Sequence, residues 1–185
     1  MIGGLVGEQK ALLFENSAGL AAAYARIRGH EPVATIQQYI PGPEENLVVF
    51  GSYCSSAGTV RAFFTGRKIL QVPPLRGTGV VLEGCPVPEI IEPSKTLLRA
   101  LGFNGISEIE FKIHETTRVP YLIEINPRHW DQHHLGTACG VNLSLELYRD
   151  VTGHSLAGSG DPTPAGPAQT AHPIRWIAEE DLLFH

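Results

Sequence analysis

The chain has 185 residues, of which 43% are hydrophobic and 18% charged, and its formal net charge is −5. This balance excludes a disordered chain and predicts one globular fold with a sizeable core. The longest basic cluster is Arg67-Lys68, whereas a nucleic-acid-binding protein needs a larger basic surface. We therefore expect no nucleic-acid partner.

Cysteine content and hydropathy predict a cytoplasmic protein. The three cysteines, Cys54, Cys85 and Cys139, are widely spaced and form no CxxC pair, so neither a disulfide framework nor a structural zinc site is indicated. No apolar run approaches the roughly 20 residues of a membrane helix, and the N-terminal residues lack the pattern of a signal peptide. We expect neither secretion nor membrane insertion.

The N-terminal part of the chain predicts two strands around one helix. Lys10 to Phe14 has strand length, Ser17 can cap an alanine-rich helix that runs to Arg26, and Ala34 to Ile40 is the second strand. Pro41-Gly42-Pro43 ends this strand, because these residues favour a turn and proline cannot donate to a strand ladder.

The middle of the chain predicts a meander whose three strands are Leu47–Tyr53, Val60–Thr65 and Lys68–Gln71. Gly66 is expected in the turn between the last two strands. The stretch from Pro73 to Gly79 has the proline and glycine content of a mobile surface loop. An amphipathic helix follows from Ser94 to Leu101 and ends at Gly102.

The C-terminal part predicts a β-hairpin, a helix, a linker and a final strand. The hairpin strands are Gly105–Lys112 and Tyr121–Ile125, with His114–Pro120 as their connector. The later segments are the helix Asn142–Val151, the Gly-, Pro- and Ser-rich linker Ala157–Ala168, and the strand Ile174–Ala178.

The predicted hairpin brings two carboxylates together. If the chain turns about Thr117, Glu110 lies directly opposite Glu124, because each is seven residues from the turn. Strand alternation puts Asn126 on the same face as Glu124. Opposed side chains have Cβ atoms about 4.5–5.5 Å apart, and like charges there repel. The arrangement favours a divalent cation such as magnesium, which typically takes one or two carboxylates together with substrate phosphates.

A second interpretation of this hairpin stays open. Both glutamates can instead lie on a solvated sheet face, with Lys112 neutralising them. Arg128 follows four residues after Glu124, at the exit of the strand, where it can meet phosphate oxygens.

These strands carry the sequences EFK from Glu110 and EINPR from Glu124, and with them the chain resembles the ATP-grasp superfamily of carboxylate–amine and carboxylate–thiol ligases. The resemblance implies an α+β fold, a mostly antiparallel sheet with packed helices. It also implies that Glu110, Glu124 and Asn126 hold magnesium, with manganese as the alternative ion, on the phosphates of ATP. Arg128 would support the acyl-phosphate chemistry.

Two further segments agree with the resemblance. Residues 37–44 resemble the hinge of that superfamily, which implies nucleotide contacts from Gln37, Gln38, Tyr39, Ile40 and, at the ribose, Glu44. The stretch from Arg61 to Pro73 resembles a strand pair that carries cations toward the phosphates, through Arg61 and Lys68. Lys10, at the far end of the glycine-rich flap, is a further candidate for nucleotide binding.

The resemblance covers Gly3 to Asp150 and departs at the front of the chain. The lysine that precedes the flap and the N-terminal domain of the superfamily have no counterpart, so we expect an N-terminally truncated domain. The implied segments are an incomplete central lobe with the flap at 1–40, a C-terminal lobe with the metal site at 41–153, and a linker with a final strand at 154–185.

The implied function is ATP-dependent activation of a small-molecule carboxylate as an acyl phosphate, which an amine or a similar nucleophile then attacks. The alternative is a nucleotide-binding or structural fragment without ligase activity. A homodimer is left open.

Histidines after the hairpin give a third candidate, a zinc hydrolase. His129 and His133 are four residues apart, which is the spacing of a zinc pair on one helical turn, and His134 adds a third ring. However, Pro127 predicts a loop at this point, and no glutamate stands where a hydrolase base is needed. Packing beside the metal site or lining of an acceptor pocket is the alternative role.

Overall fold

The computed structural model describes residues 12–28, 35–55, 58–74, 77–154 and 173–179. The chain divides into two compact units, Met1–Ile40 and Pro41–His185. In the first unit, helix α1 spans Ser17–Ile27, and the side chain of Asn16 accepts a hydrogen bond from the Gly19 N–H at 2.9 Å. The N-cap is therefore Asn16, one residue before the predicted Ser17.

The strands predicted in the first unit are not found in its described residues. Residues 12–14 and 35–40 have no regular structure, so the prediction of a strand up to Ile40 is wrong. Lys10 and Ala34 lie outside the described residues. A short polar segment that ends in a proline turn has few side chains to bury, and alternation alone does not make a strand without a partner.

The second unit contains a six-stranded sheet. Its strands are β1 Leu47–Cys54, β2 Val60–Val72, β3 Thr78–Gly84, β4 Gly105–Ile113, β5 Pro120–Asn126 and β6 Ile174–Ile177. They lie in the order β5-β4-β1-β2-β3-β6, and every neighbouring pair is antiparallel. The predicted α+β fold with a mostly antiparallel sheet is confirmed, as are the hairpin of β4 with β5 and the final strand. The predicted linker Ala157–Ala168 lies outside the described residues.

Strand β2 is continuous over 13 residues, so the predicted turn at Gly66 is wrong. Gly66 pairs with Val49 on one side and with Gly84 on the other. A Cβ atom at Gly66 would lie 2.8 Å from the carbonyl oxygen of Glu83. The glycine therefore permits a close approach between strands. The predicted loop up to Gly79 also ends earlier, because β3 begins at Thr78.

One face of the sheet packs against helix α2, Pro88–Ala100. The buried residues on this side include Val48, Phe50, Phe63, Ile109 and Phe111 of the sheet with Ile90 and Leu98 of the helix. The prediction that the helix starts at Ser94 is wrong, because its first turn begins at Pro88. Proline fits the first helical position, where its missing N–H has no intrahelical partner.

The opposite face carries helices α3, His134–Ala138, and α4, Leu143–Thr152. Helix α4 agrees within one residue at each end with the predicted helix Asn142–Val151. The rings of Phe64 and Trp130 stack there with centroids 6.0 Å apart. A Cβ at Gly51 would clash with the Phe64 ring and lie 2.8 Å from Trp130, so a residue without a side chain is needed beneath the stack. The Tyr53 hydroxyl donates to Asp150 at 2.6 Å and ties α4 to the sheet.

No helix within the described ranges is long and apolar enough to cross a membrane.

Candidate metal and nucleotide site

Acidic side chains of β4 and β5 meet on the sheet face that also carries α3 and α4. Glu110 pairs with Glu124, and Glu108 pairs with Asn126. The predicted register of the hairpin, with Glu110 directly opposite Glu124, is therefore confirmed. Between the bulge and the connector, Phe111 pairs with Leu122, so the turn is centred between Thr116 and Thr117 and not on Thr117 as predicted; the bulge after Glu110 brings Glu110 opposite Glu124.

The side-chain amide of Asn126 links two of these carboxylates. Its Nδ2 donates to Glu124 Oε1 at 2.9 Å and to Glu108 Oε2 at 3.2 Å. Because carboxylate oxygens accept hydrogen bonds, the amide nitrogen must face them, which turns Oδ1 the other way. Arg128 Nη2 donates to that Oδ1 at 3.4 Å, and Arg128 Nη1 donates to the His129 carbonyl oxygen at 3.0 Å.

Lys68 of β2 reaches the same cluster. Its Nζ donates to Glu110 Oε2 at 2.7 Å and to Glu110 Oε1 at 2.8 Å, and the two side chains are only 9% and 11% exposed. The structure thus joins a residue predicted to bind nucleotide to one predicted to bind metal. Since Glu110 is buried, the interpretation of the hairpin as a solvated acidic face is wrong for this residue. Lys112 Nζ donates to the Pro43 carbonyl oxygen instead.

Glu108 belongs to the cluster although the sequence analysis did not single it out. The residue is 3% exposed, and its Oε1 is buried without a hydrogen-bond partner among the described residues. Burial and the charge of Glu110 raise the pKa of Glu108 to about 8, although Lys68 and Asn126 act in the opposite direction. Strand alternation from Glu110 was the signal that could have found it.

The donors fit an oxygen-binding cation that also takes ligands from a substrate. In the described part of the chain, no group of three or more His, Cys, Asp or Glu side chains is arranged to hold a metal by itself. Magnesium does not need such a cage, because it commonly uses one or two carboxylates together with phosphate oxygens and water. The carboxylates of Glu110 and Glu124 match this chemistry, whereas Asn126 Oδ1 faces Arg128 and not the carboxylates.

The histidine rings do not support the zinc hydrolase. Ring centroids of His129 and His133 are 5.0 Å apart, and those of His133 and His134 are 4.0 Å apart. His129 Nε2 shares a hydrogen bond with Ser144 Oγ at 2.9 Å, and His133 Nδ1 donates to the Trp130 carbonyl oxygen at 2.5 Å. These contacts engage one ring nitrogen each of His129 and His133, and among the described residues no group of three or more His, Cys, Asp or Glu side chains could hold a metal.

The other predicted nucleotide contacts are dispersed. Glu44 Oε2 accepts a hydrogen bond from the backbone N–H of Gln71 at 2.8 Å, which fixes its carboxylate beside the end of β2. The predicted contacts Gln37, Gln38, Tyr39 and Ile40 lie in the first compact unit without regular structure, and Lys10 is outside the described residues.

Arg61 is the second residue of β2, whereas Lys68 lies beyond the middle of that strand. Seven residues separate them, which corresponds to roughly 23 Å along an extended strand. Arg61 lies near Tyr53, whose pKa its positive charge lowers, although burial and Asp150 raise that pKa overall to about 12. The structure therefore does not bring Arg61 together with the acidic cluster.

Comparison with known proteins decides the family. Residues 59–176, more than half of the chain, match the family described as ATP-grasp in the biosynthetic pathway with Ter operon. The chain belongs to this ATP-grasp family. The matched range contains β2 to β6, and thus every residue of the acidic cluster.

The ATP-grasp assignment agrees with more distant similarities. The chain is 25% identical over 148 residues to a D-aspartate ligase of Enterococcus faecium, covering 78% of this chain and 35% of that protein. Two solved structures share the fold. One is the biotin carboxylase domain of Hydrogenobacter thermophilus 2-oxoglutarate carboxylase, in complex with magnesium ADP and bicarbonate (TM-score 0.54, 20% identity, 80% of this chain and 33% of that chain). The other is the ATPase subunit of Aquifex aeolicus phosphoribosylaminoimidazole carboxylase (TM-score 0.52, 16% identity, 71% and 39%).

The present chain spans about a third of the length of these relatives.

Proposed function

We propose that this ATP-grasp domain binds ATP with magnesium and activates a small-molecule carboxylate as an acyl phosphate for attack by an amine or a similar nucleophile. The observation that carries the proposal is the pairing of Glu110 with Glu124, with Asn126 on the same face. The name of the Enterococcus faecium relative makes D-aspartate the first carboxylate to test.

Glu110, Glu124 and Asn126 would hold the cation, with manganese as the alternative ion. A bound divalent cation neutralises phosphate charge, which is most of what phosphoryl transfer requires. The Asn126 amide nitrogen faces two carboxylates and its oxygen faces Arg128, so the amide would have to turn over to share a cation with Glu124.

Two cationic side chains would act on the phosphates. The exposed guanidinium of Arg128, beside Asn126 Oδ1, can bind the transferring group through several N–H donors. Lys68 contacts Glu110 directly and would thereby couple the metal site to the phosphates. Arg61 is a weaker candidate because it lies seven residues before Lys68, near the start of β2.

The reaction would proceed in two balanced steps. A carboxylate oxygen of the substrate attacks the terminal phosphorus of ATP, and the bond from that phosphorus to ADP breaks. The amine nitrogen then attacks the acyl carbon. The bond between that carbon and the phosphate oxygen breaks, inorganic phosphate leaves with the electron pair, and the nitrogen loses a proton. Positioning of the reactants and neutralisation of charge are the contributions of this domain.

Nucleotide contacts outside the acidic cluster complete the proposal. Residues 37–40, together with Lys10, would bind the nucleotide, and Glu44 would bind the ribose. We propose 1–40 as an incomplete central lobe, 41–153 as the C-terminal lobe and 154–185 as a linker with a final strand. A cytoplasmic location and a homodimer remain predictions.

Isothermal titration calorimetry with ATP, first in the presence of magnesium and then in EDTA, tests the proposal. We expect saturable, magnesium-dependent binding that Glu124→Gln weakens. Glu92→Gln is the matched control, because Glu92 is 76% exposed on α2 and pairs with Lys95. Absence of ATP binding, or unchanged binding in Glu124→Gln, would contradict the proposal.

Release of ADP over a panel of carboxylates and amines, beginning with D-aspartate, tests the ligase reaction. Substrate-dependent ADP release is the expected result. Magnesium-dependent ATP binding without turnover on any pair would instead favour the alternative of a nucleotide-binding fragment without ligase activity.

A further inference from the structure

We propose that Gln132 is a positioning residue that holds Lys68 in place for the phosphates of ATP, acting through the backbone of Gly79. The inference rests on the proposed function, because the role of Lys68 toward the phosphates is part of that function. Gln132 lies outside the motifs EFK and EINPR.

Gln132 joins the segment after β5 to strand β3. It lies in the short 3-10 helix Asp131–His133, four residues after Arg128, and it is buried. Its Nε2 donates a hydrogen bond to the Gly79 carbonyl oxygen at 2.9 Å. In the sheet, β5 and β3 are separated by β4, β1 and β2. The amide of Gln132 therefore links two parts of the chain that do not pair with each other.

Gly79 supports the aliphatic part of the Lys68 side chain. Gly79 lies on β3 and pairs with Gln71 of β2. A Cβ atom at Gly79 would lie 3.2 Å from both Cγ and Cδ of Lys68, and 2.8 Å from Leu82 Cδ1. The lysine side chain thus passes close over the glycine backbone. The hydrogen bond from Gln132 fixes the backbone over which it passes.

The ammonium of Lys68 needs this support to stay in one place. A lysine side chain is a flexible four-carbon chain, and holding its end costs side-chain entropy. The ammonium donates to both oxygens of Glu110, at 2.7 and 2.8 Å, and packing of the aliphatic part on Gly79 keeps it there. Gln132 thereby ties Lys68 to the segment that carries Arg128, the other cation proposed for the phosphates.

Acetylation by acetic anhydride, in EDTA and without nucleotide, tests the inference when each lysine is followed by mass spectrometry of peptides. Gln132→Met keeps the approximate size of the side chain and removes the amide donor. We expect Lys68 to be acetylated about two- to tenfold faster than in the wild type, the range that the loss of one hydrogen bond gives. Lys112 is the internal reference, because it is buried to the same degree as Lys68 and donates to the Pro43 carbonyl oxygen. An unchanged rate at Lys68, or an equal rise at Lys68 and Lys112, would overturn the inference.

Gly79→Ala tests the same contact if Gln132→Met does not fold. The substitution keeps the carbonyl oxygen that accepts from Gln132 and adds a Cβ atom against the Lys68 side chain. We expect the same selective rise in acetylation at Lys68. A rate at Lys68 equal to that of the wild type would contradict the supporting role of Gly79 and overturn the inference.

Affinity for magnesium ATP, measured by isothermal titration calorimetry, connects this role to the proposed function. Gln132→Met should bind magnesium ATP about two- to tenfold more weakly than the wild type. It should cause no further loss in Lys68→Met, because two changes that act through one contact are not additive. Equal losses with and without Lys68 would overturn the inference. Absence of magnesium ATP binding in the wild type would instead overturn the proposed function, and acetylation would still decide whether Gln132 positions Lys68.

Discussion

Two buried glutamates of the sheet, Glu83 on β3 and Glu108 on β4, have opposite surroundings. Glu83 is 4% exposed and lies in register between Arg67 of β2 and Arg175 of β6. Arg67 Nη2 contacts Glu83 Oε1 at 2.6 Å, and Arg175 Nη2 contacts Oε2 at 2.9 Å. Glu108 is buried to the same degree, but one oxygen receives a single amide hydrogen bond and the other receives none from the part of the chain that the structure describes.

The electrostatic consequences of these surroundings are opposite. Hydrogen bonds from Arg67, and further ones from Arg175, lower the pKa of Glu83 despite burial, whereas burial and Glu110 raise the pKa of Glu108. Glu83 is therefore a carboxylate whose charge is balanced within the fold, and it fastens the edge strand β6 to β3. A buried acid that the fold leaves unbalanced is where a positively charged ligand is expected.

The largest expected effect is on Mn²⁺ affinity, from a substitution among the acidic residues of β4 and β5. Glu124→Gln should weaken Mn²⁺ binding by about 100-fold, equivalent to about 2.7 kcal/mol, because it removes a charged ligand. Glu124 is exposed, so the urea unfolding midpoint should stay close to that of the wild type. Glu92→Gln serves again as the control, and a large fall in the unfolding midpoint of Glu124→Gln would assign this residue a structural role.

Glu83→Gln should give the reverse pattern. The substitution leaves Arg67 and Arg175 without their carboxylate, and we expect a loss of about 2 kcal/mol in the free energy of unfolding, moderated because both arginines are partly exposed. Mn²⁺ affinity should not change. Urea unfolding and Mn²⁺ titration on the same sample check both statements, and a weakened Mn²⁺ affinity would remove the distinction between the two glutamates.

The stability of the metal-free protein should fall as the pH rises from 6 to 8. The pKa of Glu108 is raised from 4.5 to about 8 in the folded protein. The stabilisation that protonated Glu108 gives the folded protein is therefore complete below pH 4.5 and is lost as the pH approaches 8. We expect a loss of about 1–2 kcal/mol, measured by urea unfolding in EDTA, and a smaller slope in Glu108→Gln. Equal slopes in both proteins would show that Glu108 does not titrate in this range.

Lowering the pH should reduce the free energy of unfolding through Glu83, and this effect should be smaller than that of Glu108. Because the pKa of Glu83 is lowered from 4.5 in the folded protein, its contribution is present above pH 4.5 and is lost as the pH falls further. Between pH 6 and 4 the wild type should lose more stability than Glu83→Gln, by under about 1 kcal/mol. A steeper loss in the variant would contradict the sign of this pKa shift.

Local patterns predicted much of the hairpin formed by β4 and β5. The predicted pairing of Glu110 with Glu124 is found, but the pairs next to the connector are centred between Thr116 and Thr117, and the bulge after Glu110 restores the predicted pairing. The alternation of the strands also fixed the side on which Asn126 lies. Glu108 obeys the same alternation but lies outside the motifs EFK and EINPR.

Other elements depended on partners distant in the sequence. Gly66 has the local signature of a turn, yet it continues β2 because β1 and β3 lie on both sides of it. The contact between Lys68 and Glu110 joins residues 42 positions apart, and no periodicity encodes such a distance. Helix α2 begins before Pro93 because Ile90 is buried against the sheet, and tertiary burial outweighs a weak local preference.

The sequence by itself determined the family, the antiparallel sheet and the face shared by Glu110, Glu124 and Asn126. The family follows from the motifs EFK and EINPR, whereas the hairpin and the shared face depend on side-chain alternation, which acts between residues close in the chain. Only the tertiary structure decided that Lys68 reaches Glu110, that Arg61 lies far from the cluster, and that Glu83 is balanced while Glu108 is not. Burial and charge pairing depend on which strands become neighbours, and that order is set by packing of the whole sheet.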